Sequence, residues 1–193
     1  MKYITMSVFA LVLAFTFAAA VGGAGSAYAA EVQGEKVLVA WFSRTGTTRG
    51  IAELIHARVG GDIIEIRAAD PYPADDTANQ ERLKREKESD ARPELAMALQ
   101  DLSAYDVIFI GHPIWQGALP PVLLTFLEKY DFSGKTVIPF CTFGGSGPGE
   151  TAGEIARRTP NSEHLAGLGI LAAEAGNAQS KVSAWLREIG MAK

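Results

Sequence analysis

The chain has only one cysteine, Cys141, so no intramolecular disulfide can brace it and the fold must stand on packing. Its three histidines, His56, His112 and His164, lie far apart without the close spacing of a metal site. Basic residues are in deficit, 18 Lys and Arg against 22 Asp and Glu, and form no patch. That balance speaks against nucleic acid as a partner. Internal repeats and low-complexity linkers are also missing.

Charge is almost absent from residues 1–30, where Lys2 stands alone before an apolar run over residues 9–21. "GGAGSAYAA" follows, with Ala27-Tyr28-Ala29 matching a small-x-small processing site. This pattern reads as a secretory signal peptide cleaved after Ala29 or Ala30. The alternative is an uncleaved anchor, since apolar character starts near Ile4. No twin arginine precedes the run, which favours the general export route. The mature protein, residues 31–193, is then expected in the periplasm or outside the cell, with no stable membrane span. About 163 residues remain, enough for one domain with a full core. With Lys2 removed, 17 basic and 22 acidic residues give a net charge of −5.

Apolar runs alternate with amphipathic ones along this domain. "VLVAWFS", residues 37–43, is nearly continuous, as a strand covered on both faces requires. Ile51, Leu54, Ile55 and Val59 then recur at helical spacing, and Gly60-Gly61 stops that helix. "DIIEIRAA" (62–69), "DVIFIG" (106–111), "TVIPFCTF" (136–143) and "HLAGLGIL" (164–171) are the further strands. The charged stretch 75–103 is expected to be helical, restarting at Pro93. Pro120-Pro121 opens a helix carrying Val122, Leu123, Phe126, Leu127 and Tyr130. Another begins near Glu150, and the last carries Val182, Trp185, Leu186 and Ile189. Strands alternating with helices predict a parallel sheet covered on both faces. Ligands of such sheets sit where the strands end.

Three loops leave strand ends with unusual composition. The first is "SRTGTT", residues 43–48. A helix N-terminus offers unpaired N–H groups and partial positive charge. Gly46 permits a close approach or a left-handed turn, and Ser43, Thr45, Thr47 and Thr48 add hydroxyls. Thr47 or Thr48 alone would pass as a helix cap; four hydroxyls and a glycine in six residues read as a phosphate cradle. Other phosphate loops fail. Gly-Lys-Ser/Thr is absent, position 147 is glycine where a Cys-x5-Arg loop starting at Cys141 needs arginine, and "GPGETA" (147–152) fits the dinucleotide pattern only loosely. A receiver domain would need an acid where Gly111-His112 stand.

The second loop, "HPIWQGALPP", places Trp115 just past a strand end. A flat indole beside a phosphate site suits stacking on a planar ring; the alternative is a ring folded back over the sheet edge. Trp41 and Trp185 read as core. The third loop, "TFGGSGPG", lets backbone amides approach a ligand's polar edge. Phosphate, flat ring and backbone amides together specify a mononucleotide such as FMN.

"FSRTGTT", "GHPIWQGALPPVLLTFLEKYDFSGK" and "FCTFGGSGPG" resemble, in order, the phosphate loop and the two ring-flanking loops of flavodoxins. The resemblance spans residues 36–190. It implies a flavodoxin-like α/β three-layer sandwich, a five-stranded parallel sheet of order 2-1-3-4-5 with helices on both faces, and one FMN. It assigns phosphate binding to Ser43, Thr45, Gly46, Thr47, Thr48 and the Arg44 amide. Ring flanking falls to Pro113, Ile114, Trp115 and Gly117, and to Thr142, Phe143, Gly144 and Gly145. Its implied role is electron transfer with a redox partner protein or a small-molecule acceptor. The alternatives are an NAD(P)H-dependent flavin or quinone reductase and a flavin-binding module without redox turnover. One departure stands out: many electron-carrying flavodoxins place acids around the ring, and none occurs at 112–119 or 141–149.

His112 sits beside the expected site as a proton donor or, more simply, as a satisfied structural group. Cys141 reads as a buried, inert thiol. "ERLKREKESDAR", residues 81–92, mixes charges at helical spacing and reads as a solvated face, with partner docking as the alternative.

Overall fold

Continuous apolar runs can only be strands if both of their faces are covered, and here they are. In the computed structural model, which describes residues 34–97 and 99–192, β1 (Val37–Trp41), β2 (Asp62–Glu65), β3 (Val107–Pro113) and β4 (Thr136–Phe143) lie parallel in the order β2-β1-β3-β4. The expected signal peptide lies outside the described residues. Among those described, no helix is long and apolar enough to cross a membrane.

The fifth strand position is filled in two pieces, β5 (Glu163–His164) and β6 (Leu168–Leu171), both on β4. His164 lies opposite Val137 and Leu168 opposite Phe140, so the edge gains one residue between them. Pro139 explains the break. The Val137 carbonyl accepts from Leu165 N–H (3.3 Å), so alternate residues of β4 turn their backbone groups to this edge. Pro139 is the next of them, and it has no N–H to offer.

Helices α1 (Thr47–Val59) and α5 (Gln179–Glu188) cover one face, with Ile51, Ile55, Val182 and Leu186 against Val39, Phe109 and Ile138. Helices α3 (Pro121–Lys129) and α4 (Thr151–Arg158) cover the other, with Val122, Phe126 and Ile155 against Leu38, Ile108 and Val137. Each such fully buried side chain contributes about 1.5–3 kcal/mol. Trp41 and Trp185 are both buried in the first core.

The charged stretch departs from expectation. Helix α2 spans only Asp76–Glu88, with the Asp75 carboxylate accepting from Ala78 N–H as its cap. Residues 94–96 run extended beside 67–69. Ala69 N–H donates to Glu94 O (2.7 Å) and Ala96 N–H to Arg67 O (2.8 Å). Pro93 therefore opens a strand-like segment rather than a second helix. Leu95, Met97 and Leu99 pack on the core at a period of two.

The strand ends are crowded. Gly111 of β3 lies under the ring of Phe140, which a Cβ at that position would overlap. Gly111→Ala should therefore destabilise the fold by about 1–3 kcal/mol through overpacking. Urea unfolding should show a lower midpoint at unchanged far-UV circular dichroism; an unchanged midpoint would contradict this packing.

Candidate functional site

The register of the strands brings the three loops together. Phe42 N–H donates to Gly111 O (2.9 Å), and Ile114 N–H to Thr142 O (2.8 Å), so the chains leave β1, β3 and β4 side by side. A buried hydrogen bond of 2.8 Å between the Thr48 and Thr142 hydroxyls ties the first loop to the third. The second and third loops meet at their glycines, where a Cβ on Gly149 would come within 3.2 Å of Gly117 O.

In the first loop, Gly46 sits at φ 90°, the left-handed conformation that starts α1 and that a side chain would strain. Gly46 N–H donates to Ser43 Oγ (3.0 Å), which curls the loop, while the Thr45 and Thr47 hydroxyls lie 3.3 Å apart. Helix α1 carries no side-chain cap and no acid in its first turn. Its first N–H groups are therefore open to an anion. The Arg44 side chain turns away, donating to Pro73 O (3.2 Å) and Ala74 O (2.8 Å) and pairing with Asp76. Positive potential at this loop comes from the helix end.

In the second loop, Trp115 and Ala118 exchange both backbone hydrogen bonds at 3.0 Å. Gln116 (φ 49°) and Gly117 (φ 75°) between them are both left-handed, as a type I′ turn demands. Trp115 is half-buried. Its ring meets Phe42 (5.2 Å between centroids, 86° between planes) and Tyr72 (4.9 Å, 78°). Pro113 and Ile114, which precede it, are both half-buried. In the third loop, Gly144 and Gly145 are exposed and open to solvent where a Cβ would stand. Phe143 lies against β6: a Cβ on Gly169 would come 3.0 Å from Phe143 Cε1.

His112 and Cys141 are neighbours in register and line a cavity of about 190 Å³ toward the first turn of α4. Both are buried. Burial lowers the His112 pKa from 6.5 to about 4, partly offset by its contact with Pro113 O (3.3 Å), and pushes the Cys141 thiol up to about 11. Each is neutral near pH 7. His56 and His164 are spoken for by Gly61 O (3.0 Å) and the Thr159 hydroxyl (2.8 Å). Among the described residues no group of three His, Cys, Asp or Glu gathers for a metal ion.

Tyr72 and Arg82, which the loop motifs do not contain, also reach the site. Arg82 was expected on a solvated face. Its side chain is 11% exposed, and its guanidinium lies 4.1 Å from the Tyr72 ring centroid. The signal available was the Arg82–Glu86 pair at i,i+4 beside Leu83.

The flavodoxin profile matches residues 36–189. The chain belongs to the flavodoxin family. A flavoprotein of Bacteroides uniformis ATCC 8492 is 37% identical, with a TM-score of 0.71 over 79% of this chain and 98% of that one. One from Bacteroides eggerthii DSM 20697 is 36% identical, with a TM-score of 0.69 over 80% and 98%. A Lactobacillus acidophilus NCFM flavoprotein in complex with FMN shares the fold at 20% identity, with a TM-score of 0.59 over 74% and 97%. No curated protein matches the chain.

The flavodoxin domain should lose stability in acid partly through His112. Its folded pKa of about 4 lies below the unfolded value of 6.5. Between those values the unfolded chain takes up a proton that the folded one refuses. This contribution is whole above pH 6.5 and is lost as pH falls toward 4, on the order of 3 kcal/mol in all. Denaturant unfolding at pH 7 and at pH 4.5 should show a smaller loss for His112→Gln than for the parent. Equal losses would contradict a buried neutral imidazole.

Proposed function

We propose that this flavodoxin binds one FMN at the converged loops and transfers electrons outside the cytoplasm. Its counterpart is a redox partner protein or a small-molecule acceptor. The observation that carries this reading is the first turn of α1, which has neither a side-chain cap nor an acid and follows a left-handed glycine. That turn fits a phosphate monoester. The ring loops lie beside it, tied in by the Thr48–Thr142 bond.

FMN, when bound, supplies a ring that takes up and gives out electrons. The protein does the rest. The Thr45 and Thr47 hydroxyls and the amides of Arg44, Thr45, Thr47 and Thr48 would hold the phosphate, Gly46 N–H being given to Ser43 Oγ. Trp115 would cover one ring face and exclude water from it. The amides of Gly144 and Gly145 would serve the ring's polar edge. Neither flanking loop contains an acid, so these loops would set no carboxylate against negative charge on a bound flavin. Export rests on the signal-peptide pattern of residues 1–30.

The missing acids and the exposed Gly144–Gly145 rim also favour a second reading, an NAD(P)H-dependent flavin or quinone reductase. Rapid NAD(P)H oxidation by holoprotein would select it, and negligible oxidation would select the carrier.

The primary test compares FMN with riboflavin. The protein should bind FMN more tightly, and Thr47→Ala should weaken FMN by about 1.5–3 kcal/mol, the worth of a hydrogen bond to a charged group. Riboflavin affinity should stay unchanged. Equal affinities for the two flavins in a titration would refute the cradle.

A further inference from the structure

We propose that Tyr72, fixed by Arg82 and Glu86, is the positioning residue of Trp115, so that the segment between β2 and α2 sets the plane of the ring-binding indole. The inference rests on the FMN reading above and names residues that the flavin loops do not contain.

Trp115 is gripped by rings from outside its own loop. Tyr72 and Phe42 meet it at 78° and 86°, and they meet each other at 5.5 Å and 60°. Two rings set nearly perpendicular to the indole leave it little freedom to rotate. Phe42 comes with β1 and would be there in any case. Tyr72 is held by a separate device. Its hydroxyl donates to Glu86 Oε2 (2.9 Å), while Arg82 Nε donates to Glu86 Oε1 (2.7 Å). Arg82 also donates to the carbonyls of Asp70 and Pro71 (both 3.0 Å), which immediately precede the tyrosine, and lies over the tyrosine ring. Tyrosine, arginine and glutamate thus close a loop of contacts around one ring.

That arrangement is costly as a stabiliser. The Arg82 and Glu86 side chains are each 11% exposed, and a buried ion pair commonly gains no more than well-packed apolar residues would. What it supplies is a fixed geometry. Burial, then the Glu86 charge, raises the Tyr72 pKa, so its hydroxyl stays a donor at neutral pH. This segment and α2 grip the loops at two further points. Gln116, at the tip of the Trp115 turn, donates to Gln80 (2.7 Å) and accepts from Lys87 (3.1 Å), both on α2. Arg44 of the phosphate loop reaches back to Pro73 and Ala74.

The experiment compares the parent with Tyr72→Leu, Tyr72→Phe and Arg82→Lys, using Trp115→Phe as the reference that identifies the Trp115 band. Near-UV circular dichroism of the apoprotein reads the indole; FMN titration and bound-flavin fluorescence read the consequence. Tyr72→Leu should lose the Trp115 band, weaken FMN about fivefold to tenfold and brighten the bound flavin. Tyr72→Phe, which keeps the ring, should retain the band and bind FMN within about twofold of the parent. Arg82→Lys should fall between them, and it carries the test if Tyr72→Leu does not fold. A purely structural tyrosine would lower the melting temperature and leave the Trp115 band and FMN affinity at parental values, and that result overturns the proposal. A parent that binds no FMN overturns the flavin reading itself, whereas the apoprotein spectrum still reports whether Tyr72 sets Trp115.

Discussion

The open first turn of α1 is the constraint around which this domain is arranged. A helix end whose N–H groups have no cap is normally a defect. Here it is kept free at some cost: Ser43 spends its hydroxyl on Gly46 N–H, the Thr48 hydroxyl is committed to Thr142, and Arg44 is drawn off to the 73–76 turn. Ser43 and Thr48 are thereby withheld as caps, and the Arg44 cation is held away from a helix end that is itself positive. An anion at such an end gains about 0.3–1 kcal/mol from the dipole, with charged hydrogen bonds adding more.

The rest of the site follows from how β1, β3 and β4 end. Because the three strands are in register, loops far apart in sequence leave within one hydrogen bond of each other. The loop glycines are needed for two reasons: a Cβ on Gly149 would crowd Gly117 O, and Gly117 itself is held at φ 75°. The long β2–α2 excursion folds back onto these loops through Tyr72, Gln80, Lys87 and the turn that receives Arg44. The most charged part of the chain thus does its structural work inward.

Much of this was legible in the residues. The strands with continuous apolar runs, the stop at Gly60-Gly61 and the helix start at Pro120-Pro121 obey local rules that tertiary packing reinforces. Over residues 89–103 the helical expectation fails because Pro93 after a charged helix imitates a new helix start, while the period-two series Leu95, Met97, Leu99 is short and interleaved with alanine. The break in the fifth strand was foreshadowed by Pro139, but its effect appears only once β4 has a neighbour on that side. Tyr72, Arg82 and Glu86 were illegible as site residues for the same reason: a mixed-charge helix has the same sequence pattern whether its ion pairs face water or a tyrosine.

The most direct test of the account is the visible absorption spectrum of the protein purified from its native compartment, followed by release and chromatography of any bound chromophore. A filled FMN site predicts a flavin spectrum, with FMN released at one molecule per chain. A colourless protein that takes up no FMN, or one that releases riboflavin in FMN's place, would contradict it.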